Sequence, residues 1–250
     1  MAELSRTFGK HSVDEQEREQ RIRRVFVAVA ARYDLMNDLM SMGIHRLWKR
    51  TFVHMAAPAP GQCIVDLAGG TGDVAALMAA ADRHVTVCDP SLAMMDVGRA
   101  RAHLHVHWLE GTAERIPLPS ASVDTVTVAF GIRNVTRLED ALAESLRVLK
   151  PGGHFLCLEF STPHALVRPF YNLFSFAVIP RLGAWIAQAP GAYSYLVESI
   201  RRFPDQRAFK ALIEQAGYTD VGYRNLSFGI AAIHTGTRPT TAASAAATAA

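Results

Sequence analysis

The sequence predicts an α/β fold on a doubly wound, mostly parallel sheet. Three observations carry that expectation. Short apolar runs alternate with amphipathic helical stretches along the first two-thirds of the chain. The first run, Cys63 to Leu67, leads at once through a glycine turn into a helix. The run Val123 to Phe130 is continuously apolar apart from its threonines and Asp124, as suits a strand covered on both faces.

Each element follows from local chemistry. Gln16 to Tyr33 has helical period, with Ile22, Val25, Phe26 and Val29 on one face and Arg18, Arg21 and Arg24 on another, and reads as an N-terminal cap helix. Beyond Pro58 and Pro60, the strand Cys63 to Leu67 carries Asp66 near its end. Ala68-Gly69-Gly70-Thr71-Gly72 then opens a helix reaching Ala81. His84 to Cys88 is the second strand, ending at Asp89, and Ser91 caps a helix running to about Ala102. Val106 to Leu109 and Val123 to Phe130 are the third and fourth strands. Leu138 to Leu149 is an amphipathic helix stopped by Pro151-Gly152-Gly153, and Phe155 to Phe160 is the fifth strand.

After Ser161 an aromatic helical insertion (Phe170, Tyr171, Phe174, Phe176, Trp185, Tyr193, Tyr195) extends to about Ser199. It reads equally as a channel for an apolar ligand tail or bilayer contact, and as core or dimer interface. A helix from Asp205 to Ala216 and strands Val221 to Phe228 and Ile230 to Thr235 complete the fold, the last strand antiparallel. The expected layout is a disordered N-terminus (1–15), one domain (16–238) with cap helices over 16–57 and the insertion over about 162–199, and a disordered Ala-rich tail (239–250).

Composition narrows the function. The chain has 250 residues, 50% of them hydrophobic, enough for one sizeable core. A formal charge of +3 from 26 basic and 23 acidic residues gives no field that would point to nucleic acid or anionic lipid, and any membrane contact would have to be local and largely apolar. Cys63, Cys88 and Cys157 form no CxxC pair and sit in apolar runs, which suits buried thiols in a reducing compartment. No His and carboxylate spacing demands a metal. The first 19 residues lack an apolar signal core, and the longest apolar stretch, 170–189, is interrupted by Pro180 and Arg181; a cytoplasmic protein, with peripheral contact at the inner membrane face left open, is expected.

Ligands of such a sheet belong at the carboxyl ends of its strands. The turn after Asp66 lacks GxGxxG spacing, and a carboxylate there would crowd a pyrophosphate while suiting the ammonium group of a methionine moiety. S-adenosylmethionine is therefore favoured over NAD. Asp66, Gly70 and Gly72 are candidate contacts, and Asp89 is placed for ribose hydroxyls. The loop after the third strand, Glu110-Gly111-Thr112-Ala113-Glu114, is the place for backbone amides on an adenine edge.

Tyr33-Asp34-Leu35-Met36-Asn37, Ser41, His45 and Trp48 have the spacing of an N-terminal signature, and Arg147-Val148-Leu149-Lys150-Pro151-Gly152-Gly153 through Glu159-Phe160-Ser161 that of a second. Phe130 to Val135 and Tyr195 to Ile200 add to them. On these residues the chain resembles the ubiquinone/menaquinone biosynthesis C-methyltransferases over roughly residues 20 to 238. The resemblance implies a class I S-adenosylmethionine methyltransferase fold. It also implies cofactor contacts at Thr71, Asp89, Thr112 and Ala113, and C-methylation of a polyprenylated benzoquinol, a demethylmenaquinol or both. The family often has Asn at Thr112 and Ser at Ala129. A homodimer or a complex of quinone-biosynthesis enzymes is left open.

Ring methylation requires alignment, a proton acceptor and positive charge beside a developing phenolate. Arg133 is the candidate for phenolate stabilisation, with Asn134 orienting a water or the second oxygen. The alternative for Arg133 is a structural pair with Glu159. Tyr33 and His45 are further candidates for a hydrogen bond or base, and His45 reads equally as a packed cap residue. The competing functions are a methyltransferase for another small lipophilic acceptor, a binding module without turnover, and an NAD-dependent dehydrogenase.

Overall fold

The computed structural model describes residues 7–8, 11–30, 37–38, 41–101, 105–173 and 190–240. Its centre is a seven-stranded sheet of β1 (Cys63–Leu67), β2 (His84–Asp89), β3 (Val106–Glu110), β4 (Val123–Ala129), β5 (Leu149–Phe160), β6 (Thr219–Leu226) and β7 (Ala231–Thr237). The spatial order is β3-β2-β1-β4-β5-β7-β6. Neighbours from β3 to β5 are parallel, whereas β7 is antiparallel to both β5 and β6. The order reverses between β1 and β4, which opens a crevice at their carboxyl ends.

Alternation along β1 explains why both faces are covered. Ile64 packs with Trp48, Phe52, Met78 and Val87 on one face. Val65 and Leu67 pack with Leu142, Phe155, Phe209 and Ile213 on the other. The first face is covered by α2 (Ile44–Ala56), α3 (Asp73–Met78) and α4 (Leu92–Ala100), the second by α5 (Leu138–Val148) and α8 (Gln206–Gln215). Phe52 is fully buried, which at the usual rate contributes roughly 1.5–3 kcal/mol. The remaining helices are α1 (Glu15–Val29), α6 (Arg168–Leu173) and α7 (Pro190–Arg202).

Several boundaries differ from the sequence expectation. The helix after the glycine turn stops at Met78 because Ala79 is extended (ψ 135°). Strand β5 begins at Leu149, immediately after α5. Lys150 to Gly153 form an irregularity inside it, so that Val123 pairs with Leu149 and Thr125 with His154. The expected strand Val221 to Phe228 starts at Thr219 and ends at Leu226, because Ser227 and Phe228 turn the chain with positive φ. Residues 174–189 of the aromatic insertion, including Phe174, Phe176 and Trp185, and residues 241–250 of the tail lie outside the described residues. No helix among the described residues is long and apolar enough to cross a membrane.

Candidate active site

The crevice is a cleft of about 690 Å³. Its floor is the strand-end loops, contributing Gly70, Asp89, Thr112, Ala113, Phe130, Gly131 and Asn134, and its roof is α1, through Gln16, Glu19, Ile22 and Phe26.

Local register builds the floor. Asp66 pairs with Thr127 across β1 and β4, and the Thr127 hydroxyl donates to Asp66 Oδ1 at 2.8 Å. Burial pushes the Asp66 carboxyl up to about 7, against the Thr127 hydrogen bond, the charge of Lys49 and the Ala75 amide, which favour ionisation. No Lys or Arg forms an ion pair with it among the described residues. Gly70, at φ +56°, donates its amide to Asp89 Oδ2 at 2.9 Å, and the Ser91 amide donates to Oδ1 at 2.7 Å. Burial raises the Asp89 carboxyl, while these two amides favour its ionised form. The Ser91 hydroxyl caps α4, as expected.

The glycine loop is held from behind. Trp108 on β3 lies against both Gly72 and Gly98. A Cβ on Gly72 would approach its ring to 2.7 Å, and one on Gly98 would lie 2.2 Å from the ring and 2.5 Å from the Thr71 carbonyl. Gly98, in the middle of α4, was not among the candidates from sequence. Its signal was an apparently costly glycine inside a helix. Thr71 itself is buried, its hydroxyl 3.4 Å from Asp73 Oδ1.

The carboxyl end of β4 forms the opposite wall. Phe130 has φ +56°, and Ile132–Asn134 make a 3-10 turn. Arg133 is buried, its Nη1 2.9 Å from Glu159 Oε1 and also bonded to the Phe130 carbonyl, its guanidinium 5.5 Å from the Phe160 ring. Arg133 thus makes the pair with Glu159 that the sequence offered as the alternative, and it does not line the cleft. Burial raises the Glu159 carboxyl while Arg133 pulls it down. Asn134 lines the cleft, and its Oδ1 accepts from Tyr195 Oη at 3.0 Å.

Two residues missed by the sequence reading hold this wall. Tyr195 is buried on α7. Arg18, expected on the arginine face of α1, is buried, and its Nη1 donates to the carbonyls of Asn134 (3.3 Å) and Val135 (3.0 Å). Arg18 stands one turn before Ile22, so helical period puts both on the inner face. Arg23 Nη2 donates to the Pro90 carbonyl at 3.1 Å, pinning α1 on the other side of the cleft.

Of the remaining candidates, Tyr33 lies outside the described residues. His45, on α2, does not line the cleft. Its Nδ1 is 2.7 Å from Ser41 Oγ, which donates to the Asn37 carbonyl, and its Nε2 is 3.8 Å from Asp38. Burial, helped by Lys49, lowers its pKa to about 4, so the ring is neutral. Trp48, four residues earlier in the signature's helical spacing than Phe52, donates to Ser227 Oγ at 3.0 Å. The second signature is scaffold: Arg147 bonds Glu144 and the carbonyls of Ile116 and Leu118, and Lys150 pairs with Asp124 at 2.9 Å.

This strand order and cleft are those of a methyltransferase sheet, and the profile of the ubiE/COQ5 methyltransferase family matches residues 14–238. The chain belongs to the ubiE/COQ5 methyltransferase family. A "Ubiquinone/menaquinone biosynthesis C-methyltransferase UbiE" from Rubrivivax gelatinosus is 74% identical over 235 residues, 94% of each chain. One from a Ruegeria species is 47% identical over 237 residues, 92% of this chain and 95% of that one. A solved S-adenosylmethionine-dependent methyltransferase from Thermotoga maritima superposes with TM-score 0.63 at 21% identity, over 87% of this chain and 99% of that one. Phosphoethanolamine N-methyltransferase 2 of Haemonchus contortus, solved with S-adenosylmethionine, gives TM-score 0.58 at 14% identity, over 77% of this chain and 52% of that one. These two likenesses establish the fold of the ubiE/COQ5 member described here.

Proposed function

We propose that this ubiE/COQ5 methyltransferase transfers a methyl group from S-adenosylmethionine to a ring carbon of a polyprenylated benzoquinol or demethylmenaquinol. The observation that carries the reading is the 74% identity to the Rubrivivax enzyme over 94% of the chain, so named. The cleft suits the cofactor. Asp66 does not itself line the cleft but lies buried behind the Ala68 to Gly70 turn that does, a carboxyl without an arginine or lysine partner among the described residues, which suits a cationic methionine moiety. Asp89, held by the Gly70 and Ser91 amides at the end of β2, suits ribose hydroxyls. Gly70, Thr71 and Gly72 shape the turn, and Thr112 and Ala113 suit the base.

When bound, S-adenosylmethionine supplies an electrophilic methyl group on its sulfonium. The chain's own residues orient and ionise the acceptor. With its Oδ1 taken by Tyr195, Asn134 presents its amide N–H groups towards the cleft, where they donate to a ring oxygen as that oxygen gains negative charge. Arg133 sits behind this wall and contributes positive potential, while Glu159 fixes its orientation. The hydroxyl proton leaves to water in the open cleft, and the ring proton is lost after the carbon–carbon bond forms. Alignment of the two reactants under α1 contributes several kcal/mol, in the range of about 7–11 for ideal intramolecular reactions. His45, neutral and away from the cleft, is assigned to packing.

Incubation of the purified protein with methyl-labelled S-adenosylmethionine and either reduced demethylated quinol tests the proposal. Incorporation into one or both quinols supports it. Cofactor binding with labelling only of a non-quinone acceptor would replace the quinol with another lipophilic substrate.

A further inference from the structure

The turn after β3 is tied to the turn after β4 through one carboxylate. Glu114 Oε1 accepts from the Thr136 amide at 2.6 Å and from the Arg137 amide at 3.3 Å. From the other side, Arg18 Nη1 donates to the carbonyls of Asn134 and Val135. The connector 134–137, which leads from the 3-10 turn into α5, is thus gripped by a cation from α1 and an anion from the loop after β3. Glu114, Asn134, Thr136 and Arg137 all line the cleft.

The loop that carries Glu114 is anchored at both ends. Upstream, the Gly111 amide donates to the Asp89 carbonyl at 3.4 Å. Downstream, the Ile116 amide donates to Glu144 Oε2 at 3.0 Å and the Ile116 carbonyl accepts from Arg147 Nη2 at 2.9 Å, which fastens this end along α5. Between the anchors the Arg115 amide closes on the Thr112 carbonyl at 3.2 Å, so Thr112 to Arg115 is a single tight turn. A ligand pressed against Thr112 and Ala113 therefore acts on the same short turn that holds Glu114.

The grip of Glu114 on the connector is strong for its size. Arg137 is the N-cap of α5 and its own side chain makes no cap bond, so the Glu114 carboxylate serves the start of that helix from a distant turn. A negative charge there is favoured by the helix dipole, and amide bonds to an ionised carboxylate are stronger than those between neutral groups. The turn after β3 and the connector after Asn134 accordingly move as one body.

We propose that Glu114 is a positioning residue that couples the two halves of the cleft: when the cofactor's base settles against Thr112 and Ala113, Glu114 fixes the connector 134–137 and with it Asn134 on the acceptor side. Cofactor binding thereby completes the acceptor site, and by linkage the acceptor tightens cofactor binding in turn. The use of this coupling rests on the quinol reading, whereas its operation needs only the cofactor.

The test is amide hydrogen exchange on the full chain, without quinol, in the presence and absence of S-adenosylhomocysteine. Protection of the Gly70 and Gly72 amides reports that the ligand is bound. In the wild type the ligand should also slow exchange at Thr136 and Arg137, by about fivefold or more. In Glu114→Ala that response should vanish while the glycine amides stay protected, and Glu114→Gln, which keeps an acceptor oxygen in place, should restore part of it. A Glu114 that only braces the fold predicts wild-type Thr136 and Arg137 amides indifferent to the ligand, and that result overturns the proposal whether or not a variant folds. An undiminished response in Glu114→Ala overturns it as well, since the ligand would then act on the connector directly. In turnover, Glu114→Ala should lower kcat by a larger factor than it raises the KM for S-adenosylmethionine; the reverse order would make Glu114 a cofactor contact. A wild type that shows the exchange response yet methylates no quinol would overturn the quinol reading and leave the coupling standing.

Discussion

Tyr195 Oη donates to Asn134 Oδ1 at 3.0 Å, joining α7 to the turn at the end of β4. Arg18 lies close enough to Tyr195 to favour its phenolate electrostatically, although burial raises the phenol's pKa overall and keeps it protonated. The phenol donates its proton to Asn134, so the Oδ1 of this cleft-lining residue is occupied. Three elements, α1, the 3-10 turn and α7, thereby set the orientation of one side chain.

Tyr195→Phe should therefore lower kcat about tenfold, the cost of one hydrogen bond, with little change in S-adenosylmethionine affinity. In an Asn134→Ala background the same change should cost nothing more, because the two residues act through one amide. Steady-state kinetics on the four proteins of the cycle give the answer. Additive losses would make Tyr195 a scaffold residue.

The buried pair Arg133–Glu159 allows structure and chemistry to be separated. Arg133→Ala leaves a buried carboxylate without its cation and should cost about 3–5 kcal/mol of stability in denaturant titration. Replacing both partners, Arg133→Met with Glu159→Leu, should recover most of that stability. The methyl-transfer rate should stay low in both proteins, because positive potential behind Asn134 is missing; recovery of both properties would make the pair purely structural.

Gly98→Ala drives a methyl group into Trp108 and the Thr71 carbonyl. A cost of about 1–3 kcal/mol in stability is expected for such overpacking, with weaker cofactor binding as the glycine turn shifts. Unfolding curves and calorimetry on one preparation measure both. Tight binding despite lost stability would show that strain at α4 does not reach the turn.

Asp66 makes stability depend on pH. Its folded value, about 7, lies above the ordinary 3.8, so between these values the folded chain holds the extra proton. The associated stability is present in full below the ordinary value and is lost as pH rises through about 7. Asp66→Asn should flatten that decline in urea titrations. A cationic ligand draws the proton off, so cofactor affinity should increase with pH up to about 7 in the wild type. A variant whose affinity follows the same pH curve would remove Asp66 from the site.

Much of the glycine turn and its flanks was legible because it is local. A strand ending near an acid, a turn needing positive φ at Gly70 and Gly72, and Ser91 capping α4 are all short-range patterns. The parallel core followed from continuous apolar runs. What escaped the reading depends on distant partners. Arg18 was assigned to an outer face because arginines are usually exposed, yet two carbonyls on a turn more than a hundred residues away receive it. The start of β5 was hidden by Pro151-Gly152-Gly153, which reads as a helix stop but lies within an irregular strand whose Lys150 pairs with Asp124. Tyr195 was grouped with other aromatics of the insertion, and only the fold brings it to Asn134.

The most direct measurement is the position of the transferred methyl group. Purified protein, S-adenosylmethionine carrying a 13C methyl, and a reduced demethylated quinol are incubated together, and the product is read by NMR. The account predicts a methyl resonance coupled to a ring carbon, with one ring proton gone. A resonance on oxygen, or no labelled quinol while the cofactor binds, would contradict it.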